Sequence, residues 1–470
     1  MKNLELIHGD ARHIPLPDES VQCIVTSPPY WGLRKYAGEQ ELIWEVGPVG
    51  IVRCDFRHDH KWTDENISFT AAPGSEKQAT NHGANGVTGI CGICGICGIC
   101  GAWRGAFGLE PTIEMYVAHT LEILRECRRV LRPDGVLFWN IGDSYAGSGM
   151  TGGTKSINGD TLRDREKMFR KATATNGSVK AKDLCLIPSR VAIAAQQDVS
   201  VRNGKEERWW VRSMIIWAKP NPMPESCTDR PTDAYEHILM LTKSERYFWD
   251  ADAVREPAVS GELRATFRGG GAYTNNQSFD NSRIVPCDDA GLPKPTVTER
   301  NLRNVWNFAT QPYSGAHFAT FPEELPRRCI LAATSAKGCC MQCGAPWERV
   351  TRRDPIPEDL YTGTSNPDDN FVNGFGSTGS RHGSGQKLQD WLNDHQPETI
   401  GWKPTCLCRG QHGKTVPCMV LDPFGGSGTT GRVALELRRR SVLVDIAYNA
   451  EYRGLAERRT SGVNVKLPFL

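Results

Sequence analysis

The chain has 470 residues, a formal net charge of +2 and seventeen cysteines. That length buries a large core and has room for more than one module, and the near-neutral balance means that any nucleic-acid partner must meet a local basic face. No secretory h-region and no apolar run of about 18 residues is present, which argues against a signal peptide, a membrane span and a disulfide scaffold.

Residues 4–10 read as a short strand ending in Gly-Asp. Residues 21–25 are an apolar run stopped by Thr26-Ser27-Pro28-Pro29-Tyr30, the pattern of a buried strand ending in a rigid loop. Two prolines fix φ and offer no N–H. A hydroxyl, a free carbonyl and an aromatic plane are therefore held together at a strand's C-terminal end, where open α/β sheets bind ligands. The set suits a flat substrate bearing an NH₂ group: Tyr30 stacks on the plane while Ser27 Oγ and the Pro28 carbonyl accept amine hydrogens. A plain Ser-Pro-Pro turn before a core tyrosine reads the same in these five residues.

Residues 35–108 dissolve into polar, Gly-rich sequence, an insertion just after that loop. It contains Cys54-Asp55-Phe56-Arg57-His58-Asp59-His60 and then Gly-Ile-Cys four times, giving Cys91, Cys94, Cys97 and Cys100. A three-residue unit regenerates C-x-x-C at every step. Cys97 and Cys100, nearest Gly101-Ala102-Trp103, are the expected knuckle, and Cys54 with His58 (or His60) could complete a tetrahedral zinc site. A low-complexity loop of thiols is the alternative.

Residues 110–131 have helical spacing, with Met115, His119, Ile123, Leu124 and Cys127 on one side. Pro111 and Thr112 stand at its start, and Arg132-Pro133-Asp134-Gly135 ends it. Residues 136–143 make the next strand, and the Gly-, Thr- and Lys-rich residues 146–183 a mobile loop. A helix is expected over 187–197. Apolar strands are expected over 212–219 and 237–243, a hairpin whose broad tip starts with Lys219-Pro220-Asn221-Pro222-Met223-Pro224-Glu225. Residues 258–300 are polar; 302–308 begin an ordered piece, followed by His317-Phe318-Ala319-Thr320-Phe321-Pro322.

A second cysteine cluster is Cys339-Cys340-Met341-Gln342-Cys343-Gly344, then Cys406-Leu407-Cys408. A knuckle with a neighbouring Gly, paired with a later Cys-x-Cys, fits a Cys₄ zinc site of Cys343, Cys406, Cys408 and either Cys339 or Cys340. Buried apolar cysteine is the alternative. Residues 419–422 are a strand, followed by the Gly-rich turn Pro423-Phe424-Gly425-Gly426-Ser427-Gly428-Thr429-Thr430, a helix to about residue 438 and a strand carrying Asp445. Strand, Gly-rich turn, helix, strand and acid is the nucleotide-binding half of a Rossmann-like sheet, with the acid placed to accept ribose hydroxyls. NAD or FAD fits that order, but strict G-x-G-x-x-G spacing is absent and Phe424 occupies the turn.

Thr26-Ser27-Pro28-Pro29-Tyr30 resembles the catalytic motif of the DNA amino-methyltransferases, which methylate the exocyclic amine of cytosine or adenine. The stretch 421–430 resembles their S-adenosylmethionine loop, and the order of the two motifs is that of the β class. The resemblance implies an α/β fold: a Rossmann-like, seven-stranded methyltransferase sheet with one antiparallel strand, plus Cys-rich zinc-knuckle insertions. The catalytic half would be 1–34, the Cys-rich insertion 35–108, the rest of the core 109–257 with the loop 146–183 able to close over DNA, the target-recognition region 258–415 and the cofactor half 416–470. The strand of Asp422 would lie beside that of Ser27, and the N-terminal strand beside that of Asp445.

The implied cofactor is S-adenosyl-L-methionine, held by Asp10, Thr320, Asp422, Phe424, Gly425, Gly426, Ser427, Gly428, Thr429 and Asp445. The implied catalytic residues are Ser27, Pro28, Pro29 and Tyr30, acting on a base flipped from double-stranded DNA. Ser27 is a poor base, so the amine proton is expected to leave through water. Ser-Pro-Pro-Tyr often accompanies cytosine in this family and Asp-Pro-Pro-Tyr adenine, so cytosine N4 is the expected target and adenine N6 the runner-up. A catalytically inactive, zinc-containing DNA-binding protein is the alternative of another class. Arg327, Arg328, Arg349, Arg352 and Arg353 are candidate DNA contacts. The resemblance further implies the cytoplasm of a bacterial or phage-infected cell and a cognate restriction nuclease as companion; it implies no oligomeric state.

Overall fold

Val21–Thr26 is a strand with all six residues buried. Burial on both faces requires cover on both sides, which is the position of a central parallel strand. The computed structural model that contains it describes residues 3–32, 40–47, 50–51, 60, 62–63, 96–97, 101–146, 179–180, 182–202, 204–257, 299–311, 321–352, 354, 357, 391, 395, 398–408, 414–448 and 451–463. These form two compact units, one of Met1–Trp249, Asn304–Pro346 and Cys408–Leu470, the other of Asp250–Arg303 and Trp347–Leu407. Among the described residues no helix is long and apolar enough to cross a membrane.

The first unit is built on a mixed sheet. Its strands, in chain order, are β1 (Leu4–His8), β2 (Val21–Thr26), β3 (Leu131–Ile141), β4 (Trp210–Ala218), β5 (Tyr235–Thr242), β6 (Val305–Asn307), β7 (Met419–Asp422) and β8 (Arg440–Asp445). Their spatial order is β1-β8-β7-β2-β3-β5-β4-β6. β5 alone runs antiparallel to its neighbours; the other pairs are parallel. Among the described residues the sheet therefore has eight strands, where seven were expected. The addition is β6, three residues joined to the edge of β4 and contributing one buried side chain, Trp306.

Among the described residues five helices cover the faces: α1 (Ile113–Val130), α2 (Ile187–Gln197), α3 (Glu324–Ala333), α4 (Thr429–Glu436) and α5 (Glu451–Ser461). α1 starts where Thr112 Oγ1 accepts the Met115 N–H at 3.1 Å, a side-chain cap for an otherwise unpaired donor. β2 leads through α1 to β3 on one side, and β7 through α4 to β8 on the other. The sheet order reverses between β2 and β7, and the C-terminal ends of these two strands carry Ser27 and Pro423. A reversal of this kind opens the crevice in which such sheets bind ligands.

The ends of the expected insertion belong to this unit. Glu41–Trp44 pairs with Trp103–Ala106, and Trp44, Trp103 and Phe107 share the core of the sheet and α1. His119 of α1, fully buried, stacks on Trp44 (4.2 Å) and Trp103 (5.6 Å). Its Nδ1 meets Glu110 Oε1 at 3.0 Å and its Nε2 the Val46 carbonyl at 2.8 Å.

The second unit contains the hairpin Trp347–Arg352 with Glu398–Pro404 and the short pair Glu256–Pro257 with Glu299–Arg300. Arg349 donates to both oxygens of Asp250 (3.1 and 2.9 Å) and lies over the Trp402 ring. Within the expected recognition region 258–415, α3 and the pair Cys339–Cys340 with Thr415–Val416 belong to the sheet unit. Arg327 is paired with Glu436 and Arg328 with Glu324. Arg352 is exposed, and Arg353 lies outside the described residues, as do all but the ends of 146–183 and 258–300.

Candidate active site

Ser27–Tyr30 follow the end of β2 and are braced from beneath. Tyr116 Oη donates to the Pro29 carbonyl at 3.0 Å. Gly108, at φ +90°, approaches so closely that a Cβ there would stand 3.0 Å from Pro29 Cβ. The Tyr30 ring lies against Gly142, just after β3, where a Cβ would come within 2.8 Å of it. Absence of a side chain there is what admits the ring.

A polar network holds this loop. Ser27 Oγ donates to Tyr30 Oη at 3.1 Å, and Tyr30 Oη donates to Glu236 Oε2 at 2.5 Å. Asn140 Nδ2 donates to Tyr30 Oη (2.7 Å) and Glu236 Oε2 (2.8 Å), and Lys219 Nζ to Glu236 Oε1 (2.5 Å). Sequence reasoning missed Asn140, Lys219 and Glu236. The available signal was a polar residue inside or at the end of an otherwise apolar strand, because buried polar groups are retained with partners.

The glycine-rich turn after β7 is organised by two acids. Asp422 Oδ1 accepts from Thr26 Oγ1 (2.6 Å) and the Phe424 N–H (3.0 Å), and Oδ2 from Thr430 Oγ1 (2.7 Å). It is 1% exposed, and burial pushes its carboxyl up to about 6. Asp445 accepts the Gly426 N–H at Oδ2 and the Ala447 N–H at Oδ1, both at 2.8 Å, and burial raises it too. Gly425 has no room for a Cβ, which would stand 2.5 Å from Tyr448 Oη. On Gly426, at φ +46°, a Cβ would meet only the Phe424 carbonyl, at 3.8 Å.

A cavity of about 800 Å³ joins the two loops. Ser27, Pro28, Pro29, Tyr30, Asn140, Lys219 and Glu236 line it, as do Asp10, Phe424, Gly425, Gly426, Ser427, Thr429 and Asp445. Of the expected cofactor residues, Asp422 and Gly428 stand apart from this lining. Asp422 is turned inward by Thr26 and Thr430. Gly428, at φ +84°, packs on Ala456 of α5 at the head of α4. Thr320 lies outside the described residues. Asp10 is on the wall, with its carboxylate accepting from the Arg12 backbone N–H (2.9 Å) and guanidinium (2.9 and 2.6 Å). The backbone of Gly425 and Gly426, with the carboxylates of Asp445 and Asp10, could hold a nucleoside-bearing cofactor.

A family model for DNA methylases matches residues 21–341 and 418–457. The chain belongs to the DNA methylase family. The methylase is 34% identical over 331 residues to the Type II methyltransferase M.Cfr9I of Citrobacter freundii, covering 70% of this chain and 72% of that one. It is 28% identical over 461 residues to the Type II methyltransferase M.SmaI of Serratia marcescens, covering 98% and 91%. Among solved structures, the PvuII DNA methyltransferase (cytosine-N4-specific) is 14% identical, with a TM-score of 0.42 and coverage of 99% of this chain and 89% of that one.

Away from the cavity, the sheet unit brings the sulfurs of Cys340, Cys343 and Cys408 within 4.8 Å of one another, and Cys406 stands two residues before Cys408 in the chain. The knuckle closes through the Gly344 N–H on the Cys340 carbonyl (2.8 Å), with Gly344 at φ +72°. Cys340, not Cys339, is the member of this group, because neighbouring residues of a strand face opposite ways. Cys339 turns inward to Cys418 and the Val416 carbonyl; its hydrogen bond to Cys418 and burial push its thiol up and keep it protonated. Cys97 is buried, its N–H donating to the Ala102 carbonyl at 2.8 Å, and is not part of this group. Cys54, His58 and Cys100 lie outside the described residues.

Proposed function

We propose that the methylase transfers a methyl group from S-adenosylmethionine to the exocyclic amine of a base flipped from double-stranded DNA, with cytosine N4 as the target. The observation that carries this reading is the single cavity walled at one end by Ser27–Tyr30 and at the other by the turn Phe424–Ser427 with Asp445. When bound, the cofactor supplies an electrophilic methyl on its sulfonium. Gly425 and Gly426 admit it close to the backbone, and Asp445, with lone pairs beyond the two N–H groups it accepts, takes ribose hydroxyls. Tyr30 stacks on the base, and Ser27 Oγ and the Pro28 carbonyl accept the amine hydrogens. These bonds draw the NH₂ towards tetrahedral geometry and free its lone pair. Catalysis is then chiefly positioning in a partly desolvated site.

Cytosine is favoured by Ser27, because in this family Ser-Pro-Pro-Tyr often accompanies cytosine and Asp-Pro-Pro-Tyr adenine. Mass spectrometry of nucleosides from treated, unmodified DNA tests this: N4-methylcytosine is expected. N6-methyladenine alone would overturn the choice of base, and no methylated nucleoside would overturn the activity. The unit Asp250–Arg303 with Trp347–Leu407 is proposed to read the target sequence. The two relatives' names support a role in restriction–modification, so DNA from expressing cells is expected to resist one companion nuclease.

Cys340, Cys343, Cys406 and Cys408 are proposed to hold a structural zinc. Thiolates at a Zn–S distance of about 2.3 Å stand about 3.8 Å apart, which the sulfurs of Cys340, Cys343 and Cys408 accommodate. Elemental analysis is expected to find zinc in the purified protein and to lose it in Cys343→Ser, whose exposed thiol has little packing to lose. A metal-free wild type would overturn the assignment.

A further inference from the structure

An amine conjugated to a base ring becomes strongly acidic as it takes a methyl group, so it must shed a proton while the new bond forms. A serine hydroxyl alone is a poor acceptor for it. The structure supplies a connected route beyond that hydroxyl: Ser27 Oγ donates to Tyr30 Oη, and Tyr30 Oη donates to Glu236 Oε2, all in one direction and ending on a carboxylate. We propose that Glu236 receives, through Tyr30 and Ser27, the proton that the target amine gives up.

Three features fit this role. The Glu236 carboxylate is held at both oxygens, by Lys219 at Oε1 and by Tyr30 and Asn140 at Oε2. Its side chain is 15% exposed, shielded yet on the cavity wall. Asn140, 1% exposed, points its NH₂ at Tyr30 and Glu236 while its Oδ1 finds no hydrogen-bond partner among the described residues. An orphaned buried carbonyl oxygen is unfavourable in a strand that has only packing to do; it is accounted for if the NH₂ is needed to align the hydroxyl and the carboxylate.

The step balances as follows. The amine lone pair forms the N–C bond to the methyl carbon as the S–C bond breaks, its pair remaining on sulfur. One N–H proton passes to Ser27 Oγ, the serine proton to Tyr30 Oη, and the tyrosine proton to Glu236 Oε2. The products are the methylated amine, the thioether and a Glu236 carboxylic acid, which returns its proton to water when the site opens. Glu236 is the proton acceptor and Asn140 a positioning residue, both acting through Tyr30 and Ser27.

This inference rests on the methyl transfer proposed above. Its test is the single-turnover rate on duplex DNA with saturating S-adenosylmethionine. Glu236→Gln and Tyr30→Phe, the latter keeping the stacking ring, are each expected to slow transfer about 10²-fold. Cofactor affinity by calorimetry should change less than about threefold, which also reports that the variants fold. The double variant is expected to be no slower than the slower single one, because both break one chain, and Glu236→Asp should recover part of the rate. The wild type should be slower in D₂O, a measurement that needs no variant. A wild-type rate in Glu236→Gln, multiplicative losses in the double variant, or an unchanged rate in D₂O would each overturn the relay while leaving the methyltransferase reading in place. A wild type that forms no methylated nucleoside would overturn that reading itself.

Discussion

The Asp422 carboxylate takes two hydroxyls and an N–H in place of any cation, beneath the loop that it shapes. Burial holds its folded pKa near 6, above the unfolded value of 3.8. Between those values the folded state binds the extra proton. The stability that it contributes is therefore full below about pH 4 and is lost as pH rises through 6, a change of about 3 kcal/mol. Asp422→Asn should remove this share of the pH dependence. Its NH₂ can donate to Thr430 Oγ1, whose proton then turns to the Val25 carbonyl at 3.3 Å. Melting at pH 4.5 and pH 7 checks this: the variant is expected to gain relative to wild type on going to pH 7, and a relative loss there would refute it. Gly425 and Gly426 separate packing from ligand contact. Gly425→Ala would push a methyl against Tyr448 Oη and Leu443 Cβ at 2.5 and 2.8 Å. It should cost about 1–3 kcal/mol of stability and weaken cofactor binding with it. Gly426→Ala carries only the left-handed strain, about 1 kcal/mol, yet projects into the cavity, so calorimetry should find cofactor affinity falling with little change in melting.

α1 links the ends of the Cys-rich insertion to the Ser27–Tyr30 loop. His119 stacks on Trp44 and Trp103 and partners Glu110, whose carboxyl burial pushes up. Glu110 in turn accepts the Gly108 N–H at Oε2 (2.8 Å) and the Trp31 indole N–H at its carbonyl (2.9 Å), and Gly108 abuts Pro29. His119→Ala should leave a cavity and a stranded acid, a loss of about 3–5 kcal/mol. It should also slow methyl transfer, although His119 does not line the cavity; full turnover in a variant with lowered melting would break the proposed link. The parts of the molecule legible in the sequence are those whose signals are local. β2 with its Ser27–Tyr30 loop, β7 with its glycine turn, α1 and the β4–β5 hairpin each carry their own periodicity and stop signals. What was not legible depends on distant partners. Thr26 and Asp422 are 396 residues apart, and Tyr30 and Glu236 are 206 apart. No local pattern announces that Asp422 turns inward or that Glu236 reaches the tyrosine. The choice of Cys340 over Cys339 depends on the pleat of a two-residue strand, and β6 has too few residues to show a period.

The chain order places the Ser27–Tyr30 loop first and the glycine-rich turn Pro423–Thr430 last, with the segments of the second unit interrupting the sheet unit twice in between. Every described residue lining the cavity between β2 and β7 belongs to the sheet unit. The second unit has its own support: Asp250, with a side chain 4% exposed, is bound by Arg349, which also covers Trp402. That pair is committed to structure, so Arg349 is a poor candidate for a DNA contact and the exposed Arg352 a better one. Chemistry carried by one unit would leave the other free to vary with the DNA sequence read. Exchanging residues 250–303 and 347–407 for the corresponding segments of the Serratia marcescens relative, whose match spans 98% of this chain, should change the methylated sequence and leave the modified atom as it was. Sequencing methylated bases in DNA from expressing cells reads both at once. An unchanged target sequence in an active chimaera would move recognition back to the sheet unit, and a changed atom would mean that the second unit takes part in choosing the base.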